Sequence, residues 1–250
     1  MQRTKIEYLD YCWNFMTGCV HDILECPCKK DCWARSRAVR FNKGNFIPAL
    51  HPEKLTEPFG LNKPSKIGVC FTGDLFGDWV DPEQIITEQE NQAIPDLPLK
   101  KVVMDAVELC SQHKFFFLTK NPSGYQRWGK FSDNAWLGAS VCNSDMFDKS
   151  FRALMKVQAK NKWLSFEPLL DWTHTINLEK PLSTVQWVVI GGQTGRHKVI
   201  PQEQWLREIV YACDKNKTPL FLKNNLNCCE ISDYPELLDA HGNLRQEFPF

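Results

Sequence analysis

Short apolar runs recur along this chain, and each one stops at small polar residues. The runs are Lys66–Thr72, Phe115–Leu118, Ala135–Val141, Lys162–Phe166, Val185–Ile190 and Pro219–Leu222. Between several of them lie stretches with apolar residues at helical spacing, over Leu99–Gln112, Asp145–Gln158 and Gln202–Lys215. Strands that are apolar throughout are buried on both faces. Alternating with amphipathic helices, they imply a parallel sheet covered by helices. The aromatic segment Tyr8–Thr17 adds a strand at the start, for about seven in all. The expected fold class is therefore α/β, a complete or partial (β/α) barrel.

The 250 residues suit one large domain over 1–250. No sharp linker divides them. Prolines at 48, 52, 58 and 64 make the region 45–66 a peripheral excursion. Helices are expected over Trp33–Phe41 and Tyr125–Phe131, and Pro82 reads as the start of another. A hydrophobic content of 43% is enough for a sizeable core at this length. The formal net charge of +0 gives no bulk field for nucleic acid or membranes, although a local basic groove stays open. The first ten residues are polar, and no apolar run is long enough to span a bilayer. A cytoplasmic location follows as the expectation. There, eleven cysteines read as thiols or metal ligands rather than a disulfide framework.

Four of those cysteines share one loop: Cys19, Cys26, Cys28 and Cys32. Thiolates this close in sequence can converge on one metal, and soft thiolates select zinc, copper(I) or iron–sulfur clusters. His21 is the only nearby histidine, and it does not have finger spacing. In parallel α/β folds the loops at the carboxyl ends of strands build the site. Here those ends read Thr72-Gly73-Asp74, Thr119-Lys120-Asn121, Ser140-Val141-Cys142-Asn143, Ser165-Phe166-Glu167-Pro168, Gly191-Gly192-Gln193-Thr194-Gly195 and Lys223-Asn224-Asn225. A metal or redox centre would sit at the mouth, above polar strand ends.

The segment Trp13-Asn14-Phe15-Met16-Thr17-Gly18-Cys19, with Cys32-Trp33-Ala34-Arg35 after it, resembles the three-cysteine loop of radical S-adenosylmethionine (SAM) enzymes. It is similar in particular to a phage-type branch often catalogued only as a domain of unknown function. Further matches follow in order: Asp74-Leu75-Phe76, Leu118-Thr119-Lys120, Trp136-Leu137-Gly138 with Ser140-Val141, Ser165 to Leu170, Trp187-Val188 with Gly191-Gly192 and Thr194-Gly195, and Phe221 with Lys223. The strand-end pattern is distantly similar to spore photoproduct lyases.

The resemblance implies a partial (β/α) barrel and a [4Fe–4S] cluster on three thiolates, with SAM chelating the fourth iron. Reductive cleavage of SAM would give a 5′-deoxyadenosyl radical, with the electron coming from a reductant such as flavodoxin or ferredoxin. The substrate is unassigned, with nucleic acid or a nucleotide suggested. The implied ligands are Cys19, Cys28 and Cys32. The chain has three residues between Cys28 and Cys32 where the superfamily usually has two, so Cys26 is an alternate ligand. The implied cofactor-binding residues are Thr72, Gly73, Asp74, Lys120, Ser140, Glu167, Gly191 and Gly192. Gln193 stands where that family commonly has glutamate.

Each assignment has a plainer alternative. The four thiols suit a closed structural zinc site, which would make the protein a non-catalytic zinc or iron–sulfur interaction module. Asp74 or Asp78 can cap a helix. Ser140 can be packing, Gly191 and Gly192 a turn, and Glu167 the partner of Lys120 or Lys223. Cys142, a candidate hydrogen donor to a substrate radical, can be a buried small hydrophobe. Arg35, Arg37 and Arg40 can line a solvated helix face. Cys228 and Cys229 carry no functional reading.

Overall fold

The computed structural model describes residues 1–20, 26–41, 46–173, 178–194, 199–226 and 234–250. His21, Gly195, Cys228 and Cys229 lie outside them. Eight strands share one large, mostly parallel sheet: β1 (Gln2–Arg3), β2 (Tyr11–Trp13), β3 (Lys66–Val69), β4 (Lys114–Thr119), β5 (Ala135–Ser140), β6 (Asn161–Phe166), β7 (Trp187–Ile190) and β8 (Leu220–Leu222). Their order in the sheet is their order in the chain. β1 is antiparallel to β2, whereas β2–β3, β3–β4, β6–β7 and β7–β8 are parallel. The sheet is open, with β1 and β8 as its two ends. The coarse α/β expectation therefore holds, and a closed barrel is not formed among the described residues.

Chain contacts divide the molecule into two compact units, residues 1–137 with 156–161, and residues 138–155 with 162–250. In the first, Phe76 is ringed by Phe117, Tyr125, Trp128 and Phe131 at centroid distances of 4.1 to 6.2 Å. α1 (Trp33–Phe41) and α2 (Leu99–Leu109) belong here. α2 buries Leu99, Val102, Val103, Ala106 and Val107, which recur on one helical face. No helix starts at Pro82; that stretch is a turn closed by Gln84 N–H donating to Asp81 O at 3.2 Å. The expected helix over Tyr125–Phe131 is a 3₁₀ segment, Pro122–Arg127. The 45–66 excursion holds two 3₁₀ turns and a two-residue ladder, Met16–Thr17 with Ala49–Leu50.

The second unit contains α3 (Ser144–Met155), α4 (Glu179–Leu182) and α5 (Glu203–Asn216). Its strands present two unlike faces. Phe166 meets Phe147 of α3 and Trp172 on one face. On the other, Trp163 packs on Trp187, and Trp187 on Phe221 and Phe248. No described helix is long and apolar enough to cross a membrane.

Candidate functional site

The first unit fixes the start of the cysteine loop by backbone alone. β2 ends at Trp13, and the chain runs to Gly18, whose N–H donates to Thr72 O at 3.1 Å. Gly18 bridges Gly73 in parallel pairing. It has φ +79, and a Cβ there would fall 2.3 Å from Ile47 O. A side chain is thus excluded both by conformation and by space. Cys19 N–H then donates to Phe46 O at 3.1 Å.

The segment Cys26-Pro27-Cys28-Lys29 is a turn. Lys29 N–H donates to Cys26 O at 3.0 Å, and Cys28 has φ −90 and ψ 4, the geometry of the third residue of a type I turn. Proline suits the second position because its ring presets φ. The turn brings the two thiols into a hydrogen bond with each other, and Cys28 N–H also donates to the Cys26 sulfur. The contact with Cys28 and burial push the Cys26 thiol up, while the Lys120 charge and the Cys28 amide pull it down. Cys32 closes the 3₁₀ turn Lys29–Asp31, and its carbonyl accepts the Ser36 N–H of α1 at 2.9 Å. Among the described residues, no three His, Cys, Asp or Glu side chains gather into a group that could hold a metal. The contact that the structure makes explicit is Cys26 with Cys28, where the resemblance implied Cys28 with Cys19 and Cys32.

Asp74 is buried, and its carboxylate is well occupied. Oδ1 accepts Phe76 N–H at 3.1 Å and the Thr119 hydroxyl at 2.7 Å; Oδ2 accepts Lys120 N–H at 3.0 Å. The first bond is an Asx turn, so Asp74 closes a turn instead of capping a helix. Thr72 has its backbone tied to Asn14 Oδ1 and Gly18, but its buried hydroxyl has no partner among the described residues. Asp78 is exposed and accepts Asn121 Nδ2 at 2.9 Å. Arg35 lies over the Phe46 ring at 5.7 Å.

In the second unit the strand register decides what meets. Ser165, Val189 and Phe221 stand in one row across β6, β7 and β8. Past the row Phe166–Ile190–Leu222, the next row on the same face continues the register, with Gly191 N–H donating to Phe166 O at 3.0 Å and Lys223 N–H to Ile190 O at 2.9 Å. It therefore holds Glu167, Gly191 and Lys223. Lys223 Nζ donates to Glu167 Oε1, and a Cβ on Gly191 would stand 2.9 Å from Lys223 Cδ and 3.0 Å from Glu167 Cδ. Gly191 thus leaves the room the pair occupies. Of the alternatives for Glu167, pairing with Lys223 is the one formed.

Gly192 and Asn225 bond reciprocally, N–H to Oδ1 at 3.1 Å and Nδ2 to O at 2.9 Å. Gln193 Oε1 accepts Val199 N–H. Val141 N–H donates to Ser165 O at 2.8 Å, which sets Ser140 beside Ser165. Both serines are buried, and Ser165 Oγ has no hydrogen-bond partner among the described residues. Cys142 is fully buried; its carbonyl accepts the Leu170 and Asp171 N–H groups. Sequence reasoning gave Lys223, Ser165 and Asn225 no binding role. For Lys223 the signal was a cation placed just past an apolar strand. An open cleft of about 760 Å³ lies elsewhere in this unit, beside Asn224, Glu236 and Arg245. Its arginine is already held by Asp214 and Glu247.

A model of the family described as Protein of unknown function (DUF5131) matches residues 3–232. No curated protein and no solved structure matches the chain. The family match overturns the expected membership of the radical SAM superfamily and of its phage-type branch, for which the comparisons give no evidence. The reason is physical. Polar strand ends and clustered thiols serve any parallel α/β fold that binds ligands at its mouth, so such motifs do not separate families.

Proposed function

The chain belongs to the family described as Protein of unknown function (DUF5131), and we propose that it is an enzyme that reductively cleaves SAM at a [4Fe–4S] cluster held by its cysteine loop. The observation that carries this reading is the Cys26–Cys28 contact. The donor set fits a soft metal centre. Four thiols lie within one loop, two already touch, and a backbone N–H points at one sulfur, a contact that favours thiolate over thiol. Cys26 and Cys28 would hold the group, with Cys19 or Cys32 drawn in on loading. When bound, such a cluster supplies the electron that splits SAM into methionine and a 5′-deoxyadenosyl radical.

The residues of the chain would bind and orient around that chemistry. Lys120 is assigned to ligand binding, and Thr72 offers a polar ligand atom a buried hydroxyl that has no partner among the described residues. Asp74 positions Lys120 by accepting its backbone N–H. In the second unit Ser140, Glu167, Gly191 and Gly192 are assigned to ligand binding. The sequential strand order supports a partial (β/α) barrel. A cytoplasmic protein reduced by a flavodoxin- or ferredoxin-like donor, acting on a nucleotide or nucleic acid, completes the proposal.

The test is anaerobic reconstitution with iron and sulfide, then dithionite and SAM. The expected outcome is a brown protein that releases 5′-deoxyadenosine, with release abolished in Cys26→Ala and Cys28→Ala. A colourless protein binding one zinc per chain would assign the loop to a structural metal and the protein to the interaction modules.

A further inference from the structure

We propose that the outward face of α1, with the turn before it, is a docking surface for single-stranded nucleic acid. The turn Lys29–Asp31 runs directly into the helix, because the Cys32 carbonyl accepts the Ser36 N–H at 2.9 Å. Ala34 and Ala38, four residues apart, are buried and fix which side of α1 faces its own unit. Trp33, Ser36, Arg37 and Arg40 fall at i, i+3, i+4 and i+7, on one stripe, and all four are exposed. Trp33 is 45% exposed, although tryptophan gains more from burial than almost any other side chain. Lys29 and Lys30 are exposed too. From Lys29 to Arg40 the chain carries five cations and one acid, in a protein whose formal net charge is +0. The positive charge is therefore a local feature of this surface.

The arrangement selects the partner's chemistry. An exposed ring among cations fits a chain that offers a flat π-face and a negative charge at each step, and a single strand of nucleic acid is such a chain. In a duplex the base faces are covered by their neighbours, so Trp33 would gain little there. A lipid surface needs an apolar helix face to receive it, and on α1 the aligned apolar pair, Ala34 and Ala38, is buried in the protein. An acidic polypeptide matches the cations but brings no regular flat face to Trp33. The stripe from Trp33 to Arg40 spans about 10 Å of helix, and Lys29 and Lys30 extend it beyond Trp33. Arg35 is half-buried over the Phe46 ring and lies off the stripe, so it is not counted as a phosphate contact.

This inference gives a surface to the nucleic acid of the proposed function and rests on that part of the reading, but it needs no cluster and no SAM. The metal-free full chain is therefore the sample, and a fluorescein-labelled oligothymidylate of about twelve nucleotides the probe, read by fluorescence anisotropy. With Lys29, Lys30, Arg37 and Arg40 each on a phosphate, log K is expected to fall against log salt with a slope of about −3. Arg37→Gln and Arg40→Gln are each expected to flatten that slope by about 0.7 and to weaken binding a few-fold at low salt. Trp33→Ala is expected to weaken binding about tenfold with the slope unchanged, and Trp33→Phe to keep most of it. Lys101→Ala, at an exposed position of α2, is the unchanged control. The substituted side chains are exposed, so the fold is expected to survive each change, as far-UV circular dichroism checks. No binding at low salt, equal affinity for a duplex of the same length, or undiminished binding in Trp33→Ala would overturn the surface. Displacement by polyglutamate as readily as by unlabelled oligothymidylate would overturn it in favour of an acidic protein. Pelleting with phosphatidylserine vesicles that Trp33→Ala abolishes would overturn it in favour of a membrane. Strand binding without SAM cleavage would uphold this surface and sink the cluster reading; cleavage without strand binding would do the reverse.

Discussion

Asp74 and Glu167 are both acids placed just past an apolar strand, one in each compact unit, yet their carboxylates do opposite work. Asp74 is buried and takes three donors from its own chain, two of them backbone amides. Glu167 takes one, from a lysine side chain, and keeps an oxygen open on a partly exposed group. A carboxylate whose acceptors face backbone amides is scaffold, because losing it strands those amides in the interior. One paired to a flexible ammonium can rearrange around a ligand. Position at a strand end therefore does not define a site; what decides is how much hydrogen-bonding capacity the fold leaves over.

The glycines beside these acids break the comparison most severely. Gly18→Ala would meet backbone oxygens of Ile47 and Phe46 at 2.3 and 2.8 Å, at φ +79. Backbone cannot swing aside as a side chain can, and positive φ adds its own strain. We expect a loss of about 3 kcal/mol or more, read by urea denaturation. Gly191→Ala meets only the side chains of Lys223 and Glu167, which can turn away. Its expected cost is about 1 kcal/mol. Equal costs would mean the two strand ends are equally rigid.

Much of this was legible in advance. The six apolar runs each hold a strand of the large sheet, because a run buried on both faces leaves no ambiguity of period; the aromatic segment Tyr8–Thr17 holds a shorter one, Tyr11–Trp13. The Cys26–Cys28 turn is legible only in part: the resemblance implies Cys19, Cys28 and Cys32 with Cys26 as alternate, while Pro27 marks a type I turn at Cys26–Lys29. Asp74 read as a ligand or a helix cap because its donors, Thr119 and Lys120, are 45 and 46 residues away. Ser165 stands among the polar strand ends in the sequence, but nothing there marks its hydroxyl as unsatisfied. Whether a hydroxyl is satisfied depends on neighbours from adjacent strands, which no local pattern encodes.

Exchanging each carboxylate for an amide sharpens the contrast. In Asp74→Asn one amide donor is forced against the Thr119 hydroxyl, the Phe76 N–H or the Lys120 N–H, with an expected cost of about 2 kcal/mol. In Glu167→Gln the remaining carbonyl still accepts from Lys223, and solvent reaches the group, so about 1 kcal/mol or less is expected. Denaturation midpoints of the two variants at one pH give the comparison. A larger loss for Glu167→Gln would make the second unit's ion pair structural and remove the reason to read it as a site.

The smallest effect belongs to the thiol turn and is kinetic. The hydrogen bond with Cys28 is the largest cause of the raised Cys26 thiol, and burial adds to it. A raised thiol pKa keeps the sulfur protonated to higher pH, and only the thiolate attacks an alkylating agent. In metal-free protein, Cys26 should therefore react with iodoacetamide more slowly at pH 8.5 than a small free thiol, and should gain rate as the pH climbs further. Cys28→Ala removes the thiol contact but keeps the backbone N–H and the Lys120 charge, both of which favour thiolate. The profile should then move to lower pH, and Cys26 should alkylate a few-fold faster at pH 8.5, as read by mass spectrometry of its peptide. An unmoved profile would mean that burial alone sets this thiol, and that the two sulfurs do not act as a pair.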